Sequence, residues 1–433
     1  MAIDKFISSD RQASDAKRAI AEIELALSSK QILETIVQGL PTVAVAGVNK
    51  ALKTEAHELR QALEAYERGK AGQIDALKNR AGNDPGMALI VARIAQGLSQ
   101  KELGRKLGLK EQQIQRYEAE RYRSLSLANY QKFASVLGVQ LLPVHAQPKN
   151  GWTLAKDISP DEARKVLKHA RANGWLDKDL IFEEASLAEL KKNVADHIVK
   201  YGSPSMLRTG LNVLDMKEDW SLLFWKAQVT RKAEDKIKSE KLTYQPMQVS
   251  WLCNLVKLSR ERNGPKLAVE MLREHGIVLI LERQIPGLQL DGAAFLINDV
   301  PVVGLTLLRD TVDNFWFTLL HEVAHVILHY RTGLSVGFFD DMENSKVDEL
   351  EQEANEFAAN LLIPEEKWRR SPARISNNAP AVVKFADQLE INPAIVFGRI
   401  RKERNNYAVF SDKIGRGEVR KLFFYDEVKH ANA

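Results

Sequence analysis

Cysteine is nearly absent: Cys253 is the one cysteine among 433 residues. No internal disulfide can close and a cysteine-built metal site is excluded, so any metal must be held by histidine and carboxylate. Long apolar runs are missing as well. The most apolar stretches, 42–48 and 276–281 among them, fall far short of the roughly 20 residues a membrane helix needs. Met1-Ala2-Ile3-Asp4-Lys5 shows no basic start followed by an apolar core, which speaks against a secretory signal. Proline is sparse, 14 residues in the whole chain, leaving no room for a long proline-rich linker. A cytoplasmic chain with no membrane partner is expected. Charge of one sign is in small excess: the formal net charge is +5, which favours a nucleic-acid partner only if that excess is local.

What is present is the composition of a globular protein, 45% hydrophobic and 27% charged, in a chain too long for one core. Four segments are expected. Residues 1–81 form a helical arm, with Ile20, Ile23, Leu25, Leu27, Ile32 and Ile36 recurring mostly at three- and four-residue intervals and a break at Gly39-Leu40-Pro41. Gly82-Asn83-Asp84-Pro85-Gly86 opens a compact helical block, 82–146. Residues 147–247 read as a helical connector with no assignable chemistry. Residues 248–433 are mixed, with strands expected at 276–281, 293–297 and 302–308 and helices at 310–329 and 345–362. The fold class is multidomain and mainly α: an all-α block followed by an α+β domain.

Within 82–146, Ser99 can cap a helix, with Glu102 placed for a capping box. Leu103, Leu107, Leu109, Ile114 and Tyr117 stand where two short crossed helices press on each other and on a preceding helix. Gly104 is small at the crossing, and Gly108 supplies the positive φ of a tight turn. The second helix offers Gln112, Gln113 and Arg116 outward, residue types that pair with adenine and guanine edges in the major groove. Residues 99–123 hold seven basic and four acidic side chains, so much of the chain's positive excess lies here, with Arg121 and Arg123 as phosphate candidates. Over 86–141 the segment resembles the Xre (lambda-repressor) helix-turn-helix family, in its Ser-Gln-x-x-Leu opening, its Gly108 turn and its Tyr117-Glu118 ending. Family members usually carry alanine where Gly104 stands. The resemblance implies double-stranded operator DNA as partner, a homodimer, and Gln100 as a further DNA contact.

His321-Glu322-Val323-Ala324-His325 lies in the apolar run 316–328. Histidines four apart on a helix stand one above the other, so both can reach one ion, and Glu322 is placed to take a proton from water. A catalytic metal needs a third ligand, and 349–364 can supply it. There Leu350, Ala354, Phe357, Ala358 and Leu361 form the apolar stripe; Glu351 flanks it on one side, Glu353 on the other, and Glu356 faces away. Periodicity does not choose between Glu351 and Glu353; the small Ala354, three residues after Glu351, favours Glu351. For oxyanion stabilisation His329 and Tyr330 are available, although a cation at a helix end also explains His329.

Segments 317–325 and 351–364 together resemble the ImmA/IrrE metallopeptidases, and the resemblance extends over about 269–388. It implies a gluzincin-like core, Zn2+ held by His321, His325 and a glutamate, Glu322 as the base, and cleavage of one regulatory protein, a repressor or an antitoxin. The alternative is a non-enzymatic regulator whose metal domain is structural or sensory; the intact Glu322 stands against it.

Overall fold

The computed structural model describes residues 6–82, 84–122, 125–139, 158–176, 183–201, 220–330, 334 and 344–424. Up to residue 240 the described elements are helical: α1 (Asp10–Ser28), α2 (Lys30–Ile36), α3 (Thr42–Lys70), α4 (Asp75–Ala81), α5 (Pro85–Ala95), α6 (Gln100–Leu107), α7 (Glu111–Ala119), α8 (Leu127–Val136), α9 (Pro160–Ala172), α10 (Glu183–Tyr201) and α11 (Trp220–Glu240). Then α12 (Leu252–Lys257) and α13 (Gly264–Glu274) lead into β1 (Val278–Leu281), β2 (Gly292–Ile297) and β3 (Val300–Leu305). Helices return as α14 (Val312–His329), α15 (Asn344–Leu362), α16 (Glu365–Arg370), α17 (Ala379–Leu389), α18 (Pro393–Glu403) and α19 (Glu418–Phe424). No helix among the described residues is long and apolar enough to cross a membrane.

Two compact units divide the chain. The first draws on 1–29, 52–156 and 195–203, the second on 30–51, 157–194 and 204–433. Each unit therefore takes residues from both the arm and the connector.

In the first unit α5 to α8 form the helix-turn-helix block. Ser99 and Glu102 close both bonds of the capping box at the start of α6, and Gly108 ends that helix at φ 69°. Leu103 and Ile114 are fully buried between the crossed helices. A Cβ on Gly104 would come 2.8 Å from the Leu109 carbonyl oxygen, so the turn has closed onto the α6 backbone more tightly than alanine allows. Gly104→Ala is expected to cost about 1–3 kcal/mol in thermal unfolding, as overpacking does elsewhere. An unchanged melting curve would show that the turn has slack.

In the second unit the sheet order is β1-β3-β2, with β1 parallel and β2 antiparallel to β3. Its register decides which helix covers which face. Gly304 and Leu305 point to opposite faces, and Gly292 pairs with Leu305. A Cβ on Gly304 would meet Trp225 of α11 at 2.8 Å, whereas one on Gly292 would approach Glu322 of α14 at 3.1 Å. Thus α11 lies on one face and α14 on the other. Connector residues hold the first face: Trp225 is fully buried, and Trp175 and Lys232 both bind the buried Glu282, at 3.2 and 2.8 Å. The three strands fall where expected, with shifted ends. Gly276 at φ 75° delays β1 to Val278. Leu307 at φ 54°, with the Leu308 N–H donated to the Thr306 hydroxyl, turns the chain away after Leu305.

Candidate functional site

α14 starts where Thr311 caps it through the Asn314 N–H, and its apolar circumference is buried nearly all round, including Trp316, Leu319, Leu320 and Val323. Such a helix belongs in the core, where an unanswered polar group is costly. Yet His321 is 5% exposed and His325 and Glu322 are not exposed at all. α15 packs against α14 through Ala354, Phe357, Ala358 and Leu361, all buried.

That packing brings Glu351 to the two histidines. His321 Nε2 and His325 Nε2 are 3.2 Å apart, and they lie 3.3 and 3.4 Å from the Glu351 carboxylate oxygens. Around a zinc ion with bonds of about 2.0–2.2 Å, tetrahedral ligand atoms stand roughly 3.3–3.6 Å apart. The three groups therefore fit a metal ion. Glu353 goes elsewhere: it meets His329 Nε2 at 3.2 Å and pairs with Lys50.

His329 also faces His325, Nδ1 to Nδ1 at 3.1 Å. One proton assignment satisfies the row. His325 donates from Nδ1 to His329 Nδ1, and His329 donates from Nε2 to Glu353. This leaves the His325 Nε2 lone pair free toward His321 and Glu351, as a metal ligand requires. The Tyr330 hydroxyl donates to the Asp299 carbonyl at 2.7 Å. His329 and Tyr330, expected as oxyanion candidates, are thus both engaged in these contacts.

The electrostatics match. Burial opposes charge on Glu351, but hydrogen bonds to His321 and His325 outweigh it and hold the carboxyl well below its usual range. Burial holds His325 far below the ordinary histidine value. For His321 burial is outweighed by Glu351, and its pKa rises. Glu322 is pushed up to about 8, chiefly by burial. No side chain bonds to its carboxylate, and the Ala294 N–H of β2, directed at it, lowers the pKa by less than burial raises it. Because a proton on His321 competes with the ion, metal affinity is expected to fall as pH drops through the raised His321 range, while His325, held neutral by burial, adds nothing to that fall. Zinc titrations between about pH 5.5 and 8 check this; a flat profile excludes ligation by His321.

A cleft of about 310 Å³ reaches the site, lined by His321, Glu351, Asp291, Phe317, Asn355 and Lys402 among others. The sequence carries Gly292 in a strand segment, 291–294, that resembles the family's sheet, but not its role: it lets the edge strand β2 approach Glu322. Lys50 and Lys402 reach the site from remote helices and carry no local signal.

On the helix-turn-helix, Gln112 and Arg116 are exposed, and the Arg116 guanidinium lies 5.3 Å over the Tyr117 ring. Gln113 accepts the Lys110 N–H at 3.0 Å, capping its own helix. Gln100 donates to Glu118 at 2.8 Å inside the block. Arg121, at φ 49°, stands 4.0 Å from Asp84, and Arg123 lies outside the described residues.

Residues 279–379 match the family model described as the IrrE N-terminal-like domain, a peptidase family, and residues 89–143 match one described as helix-turn-helix. No curated protein and no solved structure matches the chain. The chain joins a helix-turn-helix domain to an IrrE N-terminal-like peptidase domain, the fusion that its paired motifs resemble.

Proposed function

We propose that this protein is a DNA-binding regulator with a Zn2+-dependent endopeptidase domain, which cleaves a repressor or an antitoxin when a stress or mobile-element signal arrives. The observation that carries the reading is the triad of His321, His325 and Glu351, with ligand atoms 3.2–3.4 Å apart, beside a fully buried Glu322 that no other side chain hydrogen-bonds. A structural metal site needs no such carboxylate.

When bound, zinc polarises the peptide carbonyl and acidifies water. The remaining chemistry belongs to the chain. Glu322, kept basic by its apolar surroundings, takes a proton from the attacking water and passes it to the leaving amine. β2, at the sheet edge beside Glu322, is placed to align an extended substrate by strand pairing. The His329–Glu353–Lys50 row fixes the His325 ring. The helix-turn-helix holds the protein on operator DNA as a homodimer in the cytoplasm, with Gln112 and Arg116 reading base edges and Arg121 and Arg123 on phosphates.

The test is metal content by mass spectrometry, wild type beside His321→Ala, purified without chelator. About one zinc per chain, lost in the variant, is expected for a three-ligand catalytic site. A metal-free wild type overturns the peptidase reading and leaves a DNA-binding regulator.

A further inference from the structure

Three cations stand close together on α18, and two of them are answered. Arg399 is held by Glu365 and by the Ile363 carbonyl, and lies over the Trp368 ring. Arg401 donates to the Tyr407 carbonyl at 2.6 Å and stands 4.0 Å from Asp313. Lys402 meets no carboxylate among the described residues. Its ammonium sits 4.8 Å from the centre of the Phe317 ring, and Phe317 is stacked on His321 with ring centres 6.3 Å apart. Lys402, Phe317 and His321 all line the cleft that reaches the metal centre, and Arg399 and Arg401 do not.

The acids of that cleft are engaged. Asp291 accepts from Asn314 at 3.3 Å and stands 3.9 Å from Arg309, and Glu351 faces the histidines. Lys402 is exposed to solvent at the cleft, and partial desolvation with repulsion from Arg399 lowers its pKa from the usual lysine value, with no acid to offset them. An uncompensated cation one aromatic ring away from a metal ligand is a ready partner for an anion on the substrate.

We propose that Lys402 is a specificity-determining residue that receives a carboxylate of the substrate chain close to the scissile bond. This rests on the peptidase reading above. The carboxylate comes either from an aspartate or glutamate side chain or from the substrate's own C-terminus. The ammonium is a compact point charge on a flexible stem and accepts either.

The experiment titrates the full-length, zinc-loaded protein calorimetrically with three malonyl-hydroxamate probes, in which the hydroxamate anchors to the metal. One carries alanine amide, one aspartate amide and one alanine with a free C-terminus. In the wild type at least one acidic probe is expected to bind about tenfold tighter than the neutral one, the size of one charge-assisted contact. Which acidic probe gains identifies the source of the carboxylate. The preference should vanish in Lys402→Met, survive in Lys402→Arg and weaken at high salt, while the neutral probe still binds both variants. Equal affinity for all three probes in the wild type overturns the subsite and leaves the metal centre standing. A preference retained in Lys402→Met also overturns it, assigning the charge to another group. Failure of every probe to bind overturns the metal reading and the subsite with it.

Discussion

Glu322→Gln is expected to lower peptide hydrolysis by a factor of about a hundred to ten thousand, the range for losing a general base, while zinc content and operator binding stay at wild-type values. Glutamine keeps the shape of the side chain but has no basic oxygen. The wild-type carboxylate is fully buried, has no side-chain hydrogen bond, and sits where its proton affinity is raised to about 8. A neutral glutamine escapes the burial penalty of the carboxylate and its amide oxygen can still face the Ala294 N–H, so the metal-free variant should melt no lower than the wild type. Hydrolysis is read on a quenched-fluorescent peptide library incubated with zinc-loaded protein. Full activity in the variant would place the base elsewhere. Loss of zinc or a lower melting temperature would make Glu322 a structural residue. Gly292→Ala should act in the same direction, because its methyl would approach the Glu322 side chain at 3.1 Å and the Gly304 carbonyl at 3.0 Å.

The parts of this protein that could be read in advance are those whose signals are local. Ser99 and Glu102 are three residues apart and satisfy each other whatever the rest of the chain does, and Gly108 marks its turn by its own φ. His321 and His325 meet because a helix repeats every 3.6 residues. The choice between Glu351 and Glu353 is of another kind. Both flank one apolar stripe on α15, and only the seating of that stripe on α14 sends the first to the metal-side nitrogens and the second to His329. Lys50 and Lys402 were beyond reach for the same reason: each lies tens of residues or more from its partner, and a lysine on a helix looks alike over solvent or over a cleft. The connector illustrates the limit from the apolar side. Trp175 and Trp225 are ordinary helix-associated aromatics in sequence, and nothing local says that one binds Glu282 while the other lies on a bare Gly304. Strand ends failed by two or three residues where a left-handed residue, Gly276 or Leu307, bends the chain.

Arg93→Ala is expected to destabilise the first unit by about 3–5 kcal/mol, because it leaves a carboxylate buried without its counter-charge. Arg93 and Glu118 are each about 2% exposed at the side chain and join α5 to α7, Nε to Oε1 at 2.5 Å and Nη2 to Oε2 at 2.8 Å. The guanidinium also donates to the Leu98 carbonyl at 2.8 Å and the Ser8 carbonyl at 2.6 Å, and Gln100 adds a further donor to Glu118. The network thus ties α7 to the start of α6 and to the segment before α1. Thermal unfolding followed by circular dichroism should show the first transition lower by on the order of 10 °C or more. A double variant separates charge from packing. Arg93→Met with Glu118→Leu replaces the pair by apolar groups of similar bulk and should recover most of the loss, since a buried ion pair contributes little net stability over a packed apolar substitute. If the single variant melts like the wild type, water reaches the pair and the buried geometry is wrong. If the double variant is as unstable as the single, the hydrogen bonds to Leu98 and Ser8 hold the block, and the ion pair is secondary. Operator binding, measured well below the lowered transition, carries the remaining information. Gln100 is tied to Glu118 in the wild type, so a folded double variant releases it, and any change in operator affinity then reports what Gln100 does at the DNA.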